Sequence, residues 1–156
     1  MMMNKEKLAI LGLLFVALMA SVTVVAHMAC IPLGEACYRA QLAPEILIQS
    51  ARQGTMLAPL ATVLVSALFA LCAAYALAGI GYIKRLPLTN LALVTIAMLC
   101  TLRGLGGVVL SLALPEMVTI FSAVASLIWF VCGVWTFLAL KWLGIKPLQR
   151  DITKGI

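Results

Sequence analysis

Four apolar runs, each long enough to cross a bilayer, constrain the fold of this chain more than any other feature. They occupy about residues 8–27, 56–83, 87–114 and 116–142. A hydrocarbon core of about 30 Å takes about 20 helical residues, and backbone groups inside lipid must pair within their own segment. The sequence therefore predicts an all-α fold in which residues 1–156 form a single domain, an integral membrane four-transmembrane-helix bundle.

The composition excludes several classes of protein. Of all residues, 65% are hydrophobic and 10% are charged, whereas ordinary soluble domains have about 45–50% apolar and about 25% charged residues. A water-soluble fold has too little interior for so much apolar side chain, which excludes soluble enzymes and disordered tails. The net charge of +6 does not indicate a nucleic-acid partner, because the basic residues form short clusters between the apolar runs.

The basic clusters indicate how the spans are oriented. Lys and Arg collect in short cytoplasmic segments beside membrane helices. Here they precede the first run, separate the second from the third, and follow the fourth. We therefore expect both termini in the cytoplasm and residues 28–55 in an outer loop. A cleaved signal peptide is the alternative for the first run, but its apolar stretch exceeds the usual ~7–15 residues and no A-x-A site follows it.

The outer loop contains one pattern that is typical of a short helix. Pro44 suits a first turn, Glu45 complements the positive N-terminal end of the helix dipole, and Gly54 suits the stop. We expect a short outer-loop helix from Pro44 to Gln53 that covers the ends of the spanning helices. The loop is too small to fold around a core of its own.

Two cysteines of the outer loop suggest a covalent link. Cys30 and Cys37 lie where disulfides are permitted, and Pro32 and Gly34 between them turn the chain back. We expect a structural disulfide. The alternative is a membrane thiol–disulfide oxidoreductase that uses this pair. Four-helix, quinone-linked thiol oxidases are similar in size and topology. They carry a C-x-x-C pair in the first outer loop and a second cysteine pair in the second outer loop. This chain has neither the C-x-x-C spacing nor the second pair.

Three further cysteines lie one on each of the later spans, at comparable depth: Cys72, Cys100 and Cys132. Three thiols in one layer suit a soft ion such as Cu(I). Cys is also a small apolar residue that suits close helix packing, and no acidic or histidine side chain accompanies these three. We therefore predict no metal site and no cofactor. A bis-histidine haem is excluded because His27 is the single histidine.

Arg103 is the deepest charged residue in the spans. A charged side chain at mid-bilayer costs roughly 3 kcal/mol or more unless it has a partner. Gly104, Gly106 and Gly107 follow it, and their lack of bulk allows another helix or a ligand to approach the backbone. The sequence therefore predicts a binding or packing role for this segment of the third span.

Two explanations for Arg103 stay open at the level of sequence. Its acceptors are Ser66, Ser126 and carbonyl groups of neighbouring helices, or they include an oxygen of a bound anion such as a lipid phosphate or a carboxylate. His27 ends the first span, and we expect it to hydrogen-bond a helix end and to take part in ligand binding. No triad, metal set or carboxylate pair accompanies it, so we assign no catalytic residue.

Short motifs give a resemblance to a known group. The chain resembles small, uncharacterised proteobacterial four-helix inner-membrane proteins in His27, Tyr75-Ala76-Leu77, Arg85-Leu86-Pro87-Leu88 and Arg103-Gly104-Leu105. The resemblance implies a multi-pass protein of the bacterial inner (plasma) membrane and no activity.

The function we expect is non-enzymatic. The chain would be an inner-membrane accessory protein that binds lipid or another amphiphilic anion, with a membrane protein or further copies of itself as partners. The oxidoreductase acting through Cys30 and Cys37 is the alternative. A small oligomeric transporter is a further alternative, weakened because no carboxylate lies between Glu45 and Glu116 to load and release protons.

Overall fold

A computed structural model describes residues 4–113 and 119–144 of the chain. These residues form α1 Lys5–Leu33, α2 Glu35–Ala40, α3 Glu45–Gln53, α4 Leu57–Gly79, α5 Thr89–Ala113 and α6 Ile120–Trp142. No strand occurs in the described residues, which confirms the predicted all-α fold. Four helices, α1, α4, α5 and α6, are long and apolar enough to cross a membrane, as expected of a multi-pass membrane protein.

The spanning helices differ from the predicted runs at their ends. α1 continues past the expected end at residue 27 to Leu33, and Gly34 with φ of +68° stops it. α4 ends at Gly79 rather than at residue 83, and Gly81 with φ of +74° then turns the chain. The predicted end of the third span at residue 114 and the predicted start of the fourth span at residue 116 lie outside the described residues.

The expected outer loop folds into two helices that cover one end of the bundle. α3 begins after Pro44 and ends at Gln53, before Gly54 with its left-handed φ of +67°, so the predicted short helix is confirmed. α2 is not predicted from the sequence, because a helix of 6 residues is too short for a hydrophobic period. We call residues 35–53, which contain α2 and α3, the cap, and the end of the bundle that they cover the capped end.

Ion pairs and a disulfide fix the cap. Glu35 of α2 accepts from Arg39 Nε at 2.9 Å and, across to α3, from Arg52 Nη2 at 2.6 Å. Cys30 and Cys37 form a disulfide with their Cα atoms 5.1 Å apart. The predicted pairing is therefore confirmed, and it ties α2 to the end of α1.

Small residues bring the spanning helices together. Gly12 of α1 lies against the indole of Trp135 in α6, whose Nε1 donates to the Leu8 carbonyl oxygen at 3.0 Å. Gly104 of α5 lies against the backbone of Phe130 in α6. α5 and α6 form the most extensive pair, α4 packs closely on α1, and α4 packs only sparsely on α5. This unequal packing leaves space among the helices.

Candidate ligand-binding cleft

A cleft of about 470 Å³ lies between α1, α4 and α6 toward the capped end. This volume falls within the ~300–1,000 Å³ typical of small-molecule sites. The cap closes the cleft at one end, and Arg103 of α5 is one of the lining residues. No carboxylate of the described residues lines it. The lining is mostly apolar and includes Met19, Val22, Leu47, Val65, Phe69 and Ile128.

Arg103 has few protein partners. It lies about 15 Å along α5 from the last described turn at Ala113, given a rise of about 1.5 Å per residue. Its guanidinium has five N–H donors, and Nη1 donates to Ser126 Oγ at 3.3 Å. Within the described part of the chain this is its single hydrogen bond, and it forms no ion pair there. Because Arg103 is exposed at the side of the bundle, its other donors are accessible to a ligand.

The three glycines after Arg103 have different surroundings. A Cβ at Gly104 would meet a backbone nitrogen of α6 at 2.8 Å, and a Cβ at Gly107 would collide with the side chain of Ser126. These two glycines therefore allow α6 to pack closely against α5. A Cβ at Gly106 would meet no atom within 4 Å, so this position is open on the outside of the helix.

Ser66 is not a partner of Arg103. Its Oγ is buried and has no hydrogen-bond acceptor or donor among the described residues, and Ser66 does not line the cleft. Ser126 Oγ, in contrast, donates to the Ser122 carbonyl oxygen at 2.8 Å and accepts from Arg103. Of the two serines considered from the sequence, only Ser126 is joined to Arg103.

His27 lines the cleft from α1. Its Nδ1 donates to the carbonyl oxygen of Thr23 at 3.0 Å, one turn back along the same helix. Its ring lies 5.5 Å from that of Phe69, which lies 5.2 Å from that of Trp129. A row of aromatic rings thus runs from α1 through α4 to α6 along the cleft.

The cap contributes polar groups that the sequence does not identify as site residues. Gln41 Nε2 donates to the Ala26 carbonyl oxygen at 3.0 Å and to Cys30 Sγ at 3.0 Å. Tyr38 is buried, and its hydroxyl lies 2.8 Å from Thr62 Oγ1 in α4. Their part in the cleft depends on the position of α2, which no pattern in the sequence predicts. The one feature of the sequence that could have indicated Tyr38 and Gln41 is that they lie close to the paired cysteines in the chain.

The remaining cysteines lie away from the cleft. Cys100 and Cys132 are buried in the main core of the bundle, and Cys72 packs against that core. The described residues contain no group of three or more potential ligands placed to hold a metal ion. The three thiols are small side chains packed in or against the core.

No family model, no curated protein and no solved structure matches this chain. The resemblance to small proteobacterial inner-membrane proteins therefore stays a prediction.

Proposed function

We propose that this chain is an accessory protein of a bacterial inner membrane that binds an amphiphilic anion in the cleft and catalyses no reaction. The observation that carries the proposal is Arg103, a guanidinium with one of its five donors in use among the described residues, at the edge of an apolar cleft that no described carboxylate lines. A cation in a membrane-spanning helix is stabilised by an anion that supplies acceptor oxygens.

The size of the cleft favours a ligand with one apolar chain. A volume of about 470 Å³ holds about 16 groups of ~30 Å³, the share of one water molecule in the liquid. That is about the size of a single long acyl chain. The acid group would lie at Arg103, and the chain would run between the apolar side chains of Val22, Val65 and Ile128.

The test is binding of radiolabelled oleate to the protein in phosphatidylcholine nanodiscs, with empty nanodiscs as the blank for partitioning. Arg103→Gln is expected to weaken oleate binding by at least about tenfold, because charge-assisted hydrogen bonds contribute about 1.5–3 kcal/mol. Arg103→Lys should retain part of the affinity, since it keeps the charge and loses the planar fork. Arg85→Gln, a basic residue beyond the other end of α4, is the matched control and should bind as the unmodified protein does.

Four competitors test whether the cleft requires one apolar chain and an anionic head. Oleate and oleoyl lysophosphatidate should both displace the label, because each has one chain and an anionic head. Phosphatidate with two oleoyl chains and uncharged oleyl alcohol should compete weakly. Equal binding of oleate by the unmodified protein and by Arg103→Gln would overturn the proposal.

Thiol–disulfide exchange is a second candidate function, favoured by the position of the disulfide. Cys30 is buried and lines the cleft, whereas Cys37 is only partly buried. A substrate thiolate would attack Cys37 Sγ and release Cys30 as a thiolate, and a second substrate thiolate would then release Cys37 and leave with the new disulfide. A Cys30→Ser, Cys37→Ser variant that stays folded and leaves cellular thiol oxidation unchanged would exclude it.

A further inference from the structure

The polar groups that line the cleft divide into two sets by their hydrogen-bonding role. Beside Ser126, Arg103 offers N–H donors. Toward the cap, the hydroxyl donors are already used inside the protein: Thr23 Oγ1 donates to the Met19 carbonyl oxygen at 2.8 Å, and Thr62 Oγ1 donates to the Ala58 carbonyl oxygen at 2.8 Å. Because Thr62 has one hydroxyl proton, the Tyr38 hydroxyl must donate to Thr62 Oγ1. These groups therefore offer a ligand only lone pairs.

Gln41 has the same character. A carbonyl oxygen can only accept, so the contact with the Ala26 carbonyl places the amide nitrogen of Gln41 on that side. Nε2 also donates to Cys30 Sγ. Both amide protons therefore have partners, and Oε1 is left as an acceptor without a partner in the described part of the chain.

His27 is oriented by the same argument. The Thr23 carbonyl oxygen can only accept, so Nδ1 carries the proton and Nε2 of the neutral ring is an acceptor. Nε2 points away from the helix that holds Nδ1, and no described residue bonds it. Phe69 packs against the ring at 5.5 Å between centroids and limits its rotation.

We propose that the cleft selects a single-chain acid that carries a hydroxyl group part-way along its chain. This inference rests on the proposed function. The acid group lies at Arg103, and the hydroxyl donates to His27 Nε2 or Gln41 Oε1. An unsubstituted chain would cover these acceptors and leave them unpaired, which is costly in an apolar site. A hydroxyl placed beside them removes that cost.

Oleate and ricinoleate form the decisive pair of probes, because they differ by one mid-chain hydroxyl. Both are titrated in the nanodisc assay at about pH 8, where an ordinary histidine is neutral. The unmodified protein is expected to bind ricinoleate about tenfold more tightly than oleate, the effect of one paired hydroxyl in an apolar site. His27→Phe keeps the aromatic row and should reduce this preference, because an oleate chain no longer covers an unpaired acceptor at this position.

Gln41→Met is the second variant, because it removes the other acceptor with little change in volume. The double variant with His27→Phe should bind the two acids equally. Met19→Leu, an apolar change in the lining, is the matched control and should keep the tenfold preference.

The outcomes separate this inference from the proposed function. Equal binding of oleate and ricinoleate by the unmodified protein, with binding still dependent on Arg103, overturns the hydroxyl preference alone. A preference that survives in the double variant also overturns it. Failure of both acids to bind, or binding that is insensitive to Arg103→Gln, overturns the proposed function and this inference together.

Discussion

The contact between Arg103 and Ser126 depends on the absence of a side chain at Gly107. A Cβ at Gly107 would collide with Ser126, whose hydroxyl accepts from Arg103. We expect Gly107→Ala to lower the free energy of unfolding by about 1–3 kcal/mol, the usual cost of overpacking. The measurement is thermal unfolding in detergent micelles.

Gly106→Ala, at the residue directly before Gly107, is the matched control. No atom lies within 4 Å of a Cβ there, and alanine is better than glycine in a helix interior by roughly 0.5–1 kcal/mol. This variant should be as stable as the unmodified protein or slightly more so. Equal destabilisation by the two alanines would show that Gly107 makes no special contact.

At this scale the sequence identifies Arg103 but not all of its surroundings. Depth along a helix follows from residue spacing, so Ser66 and Ser126 are equivalent in the sequence. Which way each serine faces depends on the rotation of its helix in the bundle, and that is set by packing. Of the two serines, only Ser126 hydrogen-bonds the guanidinium. It lies on α6, which packs closely against Gly104 and Gly107.

One carboxylate, Glu35, bridges the two helices of the cap. Hydrogen bonds from Arg52 and then from Arg39 lower the pKa of Glu35 from 4.5 to about 2. A group with a lowered pKa in the folded state contributes stability above its unfolded pKa and loses it as the pH falls through the folded value. The contact between α2 and α3 should therefore be intact above about pH 4.5 and weaken progressively toward pH 2.

Hydrogen exchange of the backbone amides of α2 and α3 measures this loss. Exchange there should accelerate in that pH window, and Glu35→Gln should show fast exchange at every pH. Glu45→Gln is the control, because Glu45 approaches Arg39 only at 4.0 Å and both side chains are largely exposed. If Glu35→Gln leaves the cap as protected as before, the ion pairs do not hold it.

At the scale of helices, the long elements follow from composition and the short ones do not. A run of about 20 apolar residues has one structure in lipid, so α1, α4, α5 and α6 are predictable. Their ends depend on single glycines at positive φ, such as Gly34 and Gly81. The sequence shows these glycines but does not say which one stops a helix. α3 has a recognisable start and stop, whereas α2 has too few residues for any period.

The cleft is a property of the whole bundle. It exists because α4 packs closely on α1 and sparsely on α5, while Gly104 and Gly107 draw α5 onto α6. Its polar groups come from α1, α4, α5 and the cap, whose residues are far apart in the chain. Composition predicts the four helices, but the space between them follows from crossing geometry, which no local pattern encodes.

Charge is distributed unevenly between the two ends of the molecule. The cap carries two acidic and two basic residues that pair with one another: Glu35, Glu45, Arg39 and Arg52. The opposite end carries one acidic residue, Glu6, and five basic residues in the described part of the chain: Lys5, Lys7, Lys84, Arg85 and Lys141. The opposite end therefore has the charge of a cytoplasmic surface.

We predict that the cap lies outside the cytoplasmic membrane and that both termini lie in the cytoplasm. The disulfide agrees with this orientation, because an oxidising compartment maintains it. Ile46 in the cap is 64% exposed and Tyr82 at the opposite end is 76% exposed. Cysteines introduced at these two positions are therefore labelling sites of similar exposure at the two ends of the molecule. A membrane-impermeant maleimide should label Ile46→Cys in intact cells and Tyr82→Cys only after the cells are permeabilised, with the unmodified chain as the blank. The reverse pattern would place the cap in the cytoplasm, where the disulfide would be reduced and the cap would lose its link to α1.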